Sequence, residues 1–301
     1  MPELRYSTPD ERDYTIAMAM EVAGDVDIPS SFEVWHPPCE DQGSVGNCVA
    51  QAAAAYMECI DHRDGLPHEN RSVAYIYFAD ASSSAGMMMR DACLILLKDG
   101  DVYRAVWEHL DSDKPEYYEE RRALGRDITD QAKCIGAFVR LNTFEEAKLF
   151  MLKYNLPWFM AGDVETFISA FAGKGGHAVL GFGWDDNAKK NGKKGCIHYL
   201  NSWGTSNMFV DKEGTAWCDF DKLREVWGFI PVEMIKFPDV ESGRWSEAAI
   251  TKAAEDGIII GYEDGTFRPD RQLTREEMAA IYQRIMVQVD KRISEANPIL
   301  G

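Results

Sequence analysis

The stretch Asp41-Gln42-Gly43-Ser44-Val45-Gly46-Asn47-Cys48-Val49-Ala50-Gln51-Ala52 constrains this chain more than any other. Its two glycines allow a tight turn, and Ala50 to Ala55 supply strong helix formers directly after it. Cys48 falls where that helix begins, and there unpaired N–H groups and the positive end of the helix dipole favour an anion. A thiol so placed tends toward a depressed pKa, and its thiolate attacks carbonyl carbon. Gln42, six residues earlier, carries an amide close to the same helix start. Together with the backbone N–H of Cys48 it could hold the oxyanion of a tetrahedral intermediate. Packing alone also puts cysteines at the start of apolar helices. The rest of the chain must decide, because a thiolate nucleophile needs a base and a group that orients the base.

The preceding and following segments give an order of elements. Residues 1 to 28 read as an arm, extended or with one short helix. Pro29 to Trp35 reads as a lead-in strand broken by Pro37-Pro38. Helical spacing of apolar residues runs from Val49 to about Arg63, over Val73 to Ala81, and from Met87 to Lys98 before Asp99-Gly100. Met87-Met88-Met89 is read as packing and not as a cofactor box. Residues 111 to 135 carry charges of both signs among aromatics, which suits a solvated connection with a helical piece. Glu145 to Tyr154 is amphipathic and closes at Asn155-Leu156-Pro157.

After Pro157 the texture becomes that of buried strands: Trp158 to Gly162, Ala178 to Trp184, and Cys196 to Leu200, with Asp185 to Lys194 as a polar hairpin between the last two. A helical half followed by a β-rich half predicts an α+β fold with a cleft between the halves. His177 heads one strand behind Gly175-Gly176, and Asn201 ends the next in Asn201-Ser202-Trp203-Gly204. In an antiparallel pair the Asn201 oxygen could accept from the imidazole, fixing its tautomer and aiming the other nitrogen at Cys48. Trp203 could cover that bond. His198 is the rival base, although its place inside a strand suits packing.

Composition removes several function classes. A net charge of −18 argues against nucleic acid, whose phosphates want basic surface, and against anionic lipid. No run approaches the ~18 apolar residues of a membrane span. Seven cysteines without a CxxC pair predict no zinc site, and no cofactor is expected. The odd count leaves at least one thiol free, with Cys48 the candidate. Met1 to Asp13 is polar and Tyr14 to Met20 is too short for a signal-peptide core. The start is thus compatible with a removed signal, another export route, or a cytoplasmic location.

Over residues 29 to 236 these motifs resemble the papain-like cysteine peptidase family, in the order Cys, His, Asn. Gln42 stands where that family has its oxyanion-hole glutamine, and His177 follows Cys48 by 129 positions, near the family's spacing of about 130. The resemblance implies a helical lobe, a β-barrel-like lobe and a cleft between them. It also implies peptide-bond hydrolysis through Cys48, His177, Asn201 and Gln42, with Trp203 in support. Val49 replaces the aromatic residue usual after the nucleophile, and Val45 stands where secreted eukaryotic members have a cysteine. With an arm too short for a folded inhibitory propeptide, the chain is similar to a leaner bacterial branch. An acyl transferase or transpeptidase with the same triad, and a wall-binding scaffold with a dead cleft, are the alternative readings.

Residues 237 to 286 form a second unit, leaving 287 to 301 as a tail. A helix from about Trp245 to Asp256 stops at Gly257, an Asp264-Gly265 turn follows, and a helix from about Arg275 to Val287 is capped by Thr274 with Glu277 three residues on. This run resembles a single S-layer homology module. The resemblance implies binding of anionic cell-wall polysaccharide, with Arg275 as its key arginine and Trp245 as the contributing aromatic. A guanidinium at a helix N-terminus suits a carboxylate ligand. It further implies a cell-surface or secreted, envelope-associated location. Family members usually carry three copies, so one copy implies self-association into homotrimers, weak binding, or another use.

Overall fold

The computed structural model describes residues 6–7, 27–80, 86–109, 113–167, 175–190, 193–206, 208–231, 237–241, 243–255, 258–259, 261–262 and 266–296. Most of the 1–28 arm, the end of the Val73 to Ala81 segment and the 264–265 turn lie outside these residues. Helix α1 (Cys48–Arg63) begins at the cysteine itself, and its last turn carries His62 and Arg63, the sign that suits a helix C-terminus. Most of its residues are buried. It packs on one side against α2 (Val73–Tyr77) and α3 (Met89–Lys98). On the other side it meets the sheet strands β3 (Trp158–Asp163) and β4 (Gly176–Lys190). Met87 and Met89 are buried in the core, as packing residues.

The 111–135 connection is largely exposed and helical in part, with two side chains turned inward. It holds α4 (Pro115–Arg122) and α5 (Arg126–Thr129), and on α4 Tyr118 and Arg121 are buried. The Arg121 guanidinium donates to the Tyr75 carbonyl at 2.8 Å and lies over the Tyr75 ring, so its charge and stem both have partners. Helix α6 (Phe144–Tyr154) starts with a capping box between Thr143 and Glu146. It ends on Asn155 in the left-handed region, φ 52°.

The second half is one seven-stranded antiparallel sheet. It adds β1 (Ser31–Glu33), β2 (Ile135–Arg140), β5 (Lys193–Leu200), β6 (Thr215–Asp219) and β7 (Leu223–Pro231) to β3 and β4. The order is β2-β7-β3-β4-β5-β6, with β1 pairing β4 off this path. The short helix α7 (Val164–Phe167) leaves the end of β3 and packs against β6. Three of these strands, β2, β6 and β7, go beyond those the sequence pattern singled out. The sheet meets α1 through Tyr56, whose hydroxyl accepts from the Phe229 N–H at 2.9 Å and donates to the Phe229 carbonyl at 3.3 Å. Trp158, Trp184 and Trp227 are fully buried in this core, and the Trp158 indole N–H donates to the Ala147 carbonyl at 2.7 Å.

Beyond the sheet, α8 (Glu247–Glu255) carries Ile250 and Ala254 into a separate small core with Phe237, against which Val240 and Phe267 pack, and α9 (Arg275–Ala296) follows. The Thr274–Glu277 capping box forms, and Glu277 also accepts from Arg271 and the Tyr262 hydroxyl. Helix α9 runs well past Val287 because no Gly or Pro interrupts it before Pro298. Among the described residues, no helix is long and apolar enough to cross a membrane.

Candidate active site

The turn before α1 and the turn after β5 are stitched together by main chain. Gln42 N–H donates to the Ser202 carbonyl at 2.8 Å, Gly204 N–H donates to the Glu40 carbonyl at 3.0 Å, and Asp41 bridges Trp203. Gly43 takes φ +58°, which lets the chain fold back to the helix start. Residues 40–48 of the helical lobe therefore meet residues 201–204 of the sheet lobe.

Strand register brings the imidazole to the same place. Leu180 pairs Leu200, so the head of β4, with His177, lies beside the end of β5, where Asn201 follows. The His177 and Trp203 rings stack with centroids 4.1 Å apart at 22°, and Phe167 presents its edge at 5.7 Å. His177 Nε2 lies 2.8 Å from Asn201 Oδ1. That oxygen also accepts from the Ser202 N–H at 2.8 Å, so two donors fix which end of the Asn201 amide faces the ring. Asn201 is itself held by its N–H to the Gly214 carbonyl at 3.0 Å and by the Cys39 thiol, which donates to the Asn201 carbonyl at 3.2 Å. Gly214 sits at φ +81° directly over Cys39, where any Cβ would collide with the Cys39 side chain.

Cys48 is buried, and the N–H of Ala178, the residue after His177, reaches its sulfur. The expected depression of its pKa is overturned. Burial pushes the thiol up, and the N–H groups of Ala178, Val49 and Cys48 pull against it without prevailing. Burial likewise pulls His177 down to about 4, opposed by the Asn201 oxygen. Either charge alone is penalised by lost hydration.

Gln42 is half-buried; its Nε2 donates to the Val45 carbonyl at 3.0 Å and its Oε1 accepts from the Ser202 hydroxyl at 2.6 Å. His198, the rival base, has both ring nitrogens engaged, Nδ1 with Glu33 at 2.7 Å and Nε2 with Thr215 Oγ1 at 2.9 Å, and stacks on Trp217. It is a packing residue. All seven cysteines carry free thiols. Among the described residues no group of His, Cys, Asp or Glu is arranged to hold a metal ion.

Two further residues link the two halves and carry no sequence signature. Ser7 is buried between the lobes: its N–H donates to Glu225 on β7 at 2.5 Å, and its hydroxyl accepts from the Arg90 N–H on α3 at 3.3 Å. The Tyr6 hydroxyl donates to Asp163, whose strand partner Gly176 adjoins His177. Trp245 and Arg275, by contrast, stand in the C-terminal unit and are exposed, Trp245 at 91%.

Comparison with known proteins supplies the class. Xylellain, a cysteine protease from Xylella fastidiosa, superposes with a TM-score of 0.61 at 20% identity, covering 76% of this chain and 96% of its own. The cysteine protease and lectin-like domains of Cwp84, a surface layer associated protein of Clostridium difficile, give 0.52 at 17%, covering 68% and 52%. The body of the chain therefore has the papain-like fold. Residues 236–279 match the S-layer homology domain. In that region the outer membrane protein SlpA of Thermus thermophilus is 37% identical over 60 residues, 20% of this chain and 6% of SlpA. The cellulosome-anchoring protein of Acetivibrio thermocellus is 35% identical over 57 residues, 19% of this chain and 13% of that protein. The chain thus spans a small fraction of the curated relatives it matches, and joins a papain-like body to an S-layer homology domain.

Proposed function

We propose that this chain is a cysteine endopeptidase held at the cell envelope by its C-terminal module. The observation that carries the reading is the 2.8 Å bond from His177 Nε2 to Asn201 Oδ1 under the Trp203 ring, beside the sulfur that opens α1. With Nε2 committed to Asn201, Nδ1 is the nitrogen that takes the Cys48 proton. The thiolate then adds to the peptide carbonyl, while the Cys48 N–H and Gln42 Nε2 hold the oxyanion. Collapse breaks the C–N bond as the imidazolium gives its proton to the leaving amine. Water activated by the imidazole hydrolyses the thioester and frees the sulfur. Casein turnover tests the reading: Cys48→Ala and His177→Ala should each abolish it, and unchanged turnover in either would end the proposal.

Burial of both Cys48 and His177 supports a second reading, acyl transfer to an amine in place of water. Products trapped with an added amine, in preference to hydrolysis, would decide for it. A scaffold with a dead cleft is the non-enzymatic alternative, and failure of an epoxide inhibitor to label Cys48 would favour it.

The module supplies location. Its likeness to S-layer and outer membrane proteins supports envelope association through anionic wall polysaccharide, with Arg275 at the start of α9 and Trp245 as the contacts. Exposed Met278, Tyr282, Ile285 and Met286 on α9 support self-association of single copies. A strict monomer by equilibrium sedimentation would remove that part.

A further inference from the structure

We infer that Ser202 is the positioning residue for Gln42, acting through the side-chain amide and not on the substrate; the inference rests on the peptidase reading above. Ser202 is 7% exposed, and each of its polar groups is engaged with a residue of the site. Its N–H donates to Asn201 Oδ1 at 2.8 Å, its carbonyl accepts from the Gln42 N–H at 2.8 Å, and its hydroxyl donates to Gln42 Oε1 at 2.6 Å.

A carboxamide has a donor end and an acceptor end, and only the donor end stabilises an oxyanion. Turned over, the Gln42 amide would set its oxygen against the Val45 carbonyl oxygen, two acceptors at 3.0 Å. The Ser202 hydroxyl on Oε1 and the Val45 carbonyl on Nε2 therefore fix the orientation together. One Nε2 hydrogen goes to Val45, and the other remains for the developing oxyanion. The last torsion of a glutamine is broad and roughly two-fold, so without the hydroxyl the amide loses one of its two restraints. Ser202 also reaches from the turn after β5 to the turn before α1. It thereby keeps the oxyanion donor in step with the Asn201–His177 pair, which it touches through its own N–H.

The test is a double-mutant cycle in the full chain, read with fluorescein-labelled casein. Ser202→Ala is expected to lower kcat about 10-fold with KM within about twofold, against roughly 100-fold or more for Gln42→Ala. In the Gln42→Ala background, Ser202→Ala should cost nothing further, because its effect passes through the amide. Ser202→Thr, which keeps the hydroxyl, should restore turnover. Alkylation of Cys48 by iodoacetamide forms no oxyanion, so its rate should be the same in wild type and Ser202→Ala. Unchanged turnover in Ser202→Ala, a loss that persists in full without the Gln42 amide, or an equal fall in alkylation each overturns the inference. A wild-type chain that neither cleaves casein nor alkylates at Cys48 brings down the peptidase reading, and this inference with it.

Discussion

At His177 the folded chain holds its imidazole near 4, whereas an unfolded histidine titrates near 6.5. Between those values the unfolded chain binds a proton that the folded chain refuses, so stability rises with pH across that window. The contribution is complete above about 6.5, is lost as pH falls toward 4, and amounts to on the order of 3 kcal/mol over the whole window. Urea midpoints between pH 7 and pH 4 should therefore fall less steeply in His177→Ala than in the wild type. Parallel slopes would contradict the assignment. Under the proposed peptidase reading only a neutral ring takes the thiol proton, so the acid limb of kcat/KM should lie near 4 and not near 6.5. A different residue decides folding on the helical side. Arg71 is 1% exposed and forks onto both Asp61 oxygens at 2.8 Å. Asp61→Ala strands that buried guanidinium, and a loss of roughly 3–5 kcal/mol in denaturant melts is expected.

Elements show which signals the chain carries locally. Helices α1, α3 and α6 follow from apolar spacing and punctuation, and the α6 boundary is set by Thr143, whose hydroxyl accepts from the Glu146 N–H at 3.1 Å. Thr143→Ala should cost about 1 kcal/mol by urea melt. Strand β7 hides its nature because Arg224 and Glu225 interrupt its apolar run. Glu225 is buried there with its carboxylate accepting from the Ser7 N–H and from the Trp227 indole at 2.9 Å. Strand β2 is obscured by Gly136 and by a bulge in its pairing with β7. Site residues divide in the same way. Gln42, Cys48, His177 and Asn201 each sit at a local landmark, a glycine turn, a helix start or a strand end. Ser202 lies inside the Asn201-Ser202-Trp203-Gly204 motif, but its hydroxyl's partner is 160 residues away, and that of the Ser7 N–H is 218 away, so those contacts leave no trace in the local sequence. The Tyr6–Ser7 contacts carry their own prediction. They fill ground between the lobes beside the strand pair that bears His177, so removal of residues 1–28 should raise casein turnover. Equal rates with and without those residues would dismiss a blocking role.

Among the described residues there are two cores, one in the papain-like body and one of Phe237, Ile250 and Ala254 in the C-terminal module. A chain of net charge −18 approaching an anionic polysaccharide is repelled at long range. Under the proposed reading, attachment comes from short contacts that offset the repulsion: Arg275 at the N-terminus of α9 has the charge for a carboxylate, and Trp245 is exposed for a sugar face. Salt acts on the two contributions differently. Raising ionic strength from 0.01 M to 0.15 M shortens the Debye length from about 30 Å to about 8 Å, which suppresses the repulsion while sparing a contact at hydrogen-bond distance. Co-sedimentation with purified pyruvylated wall polysaccharide should therefore hold or strengthen over that range, the reverse of binding driven by opposite net charges. Arg275→Ala should abolish it at every salt concentration and Trp245→Ala should weaken it, while both variants cleave casein at the wild-type rate. Binding that decays steeply with salt, or that survives Arg275→Ala, would show that the module holds the wall by some other surface.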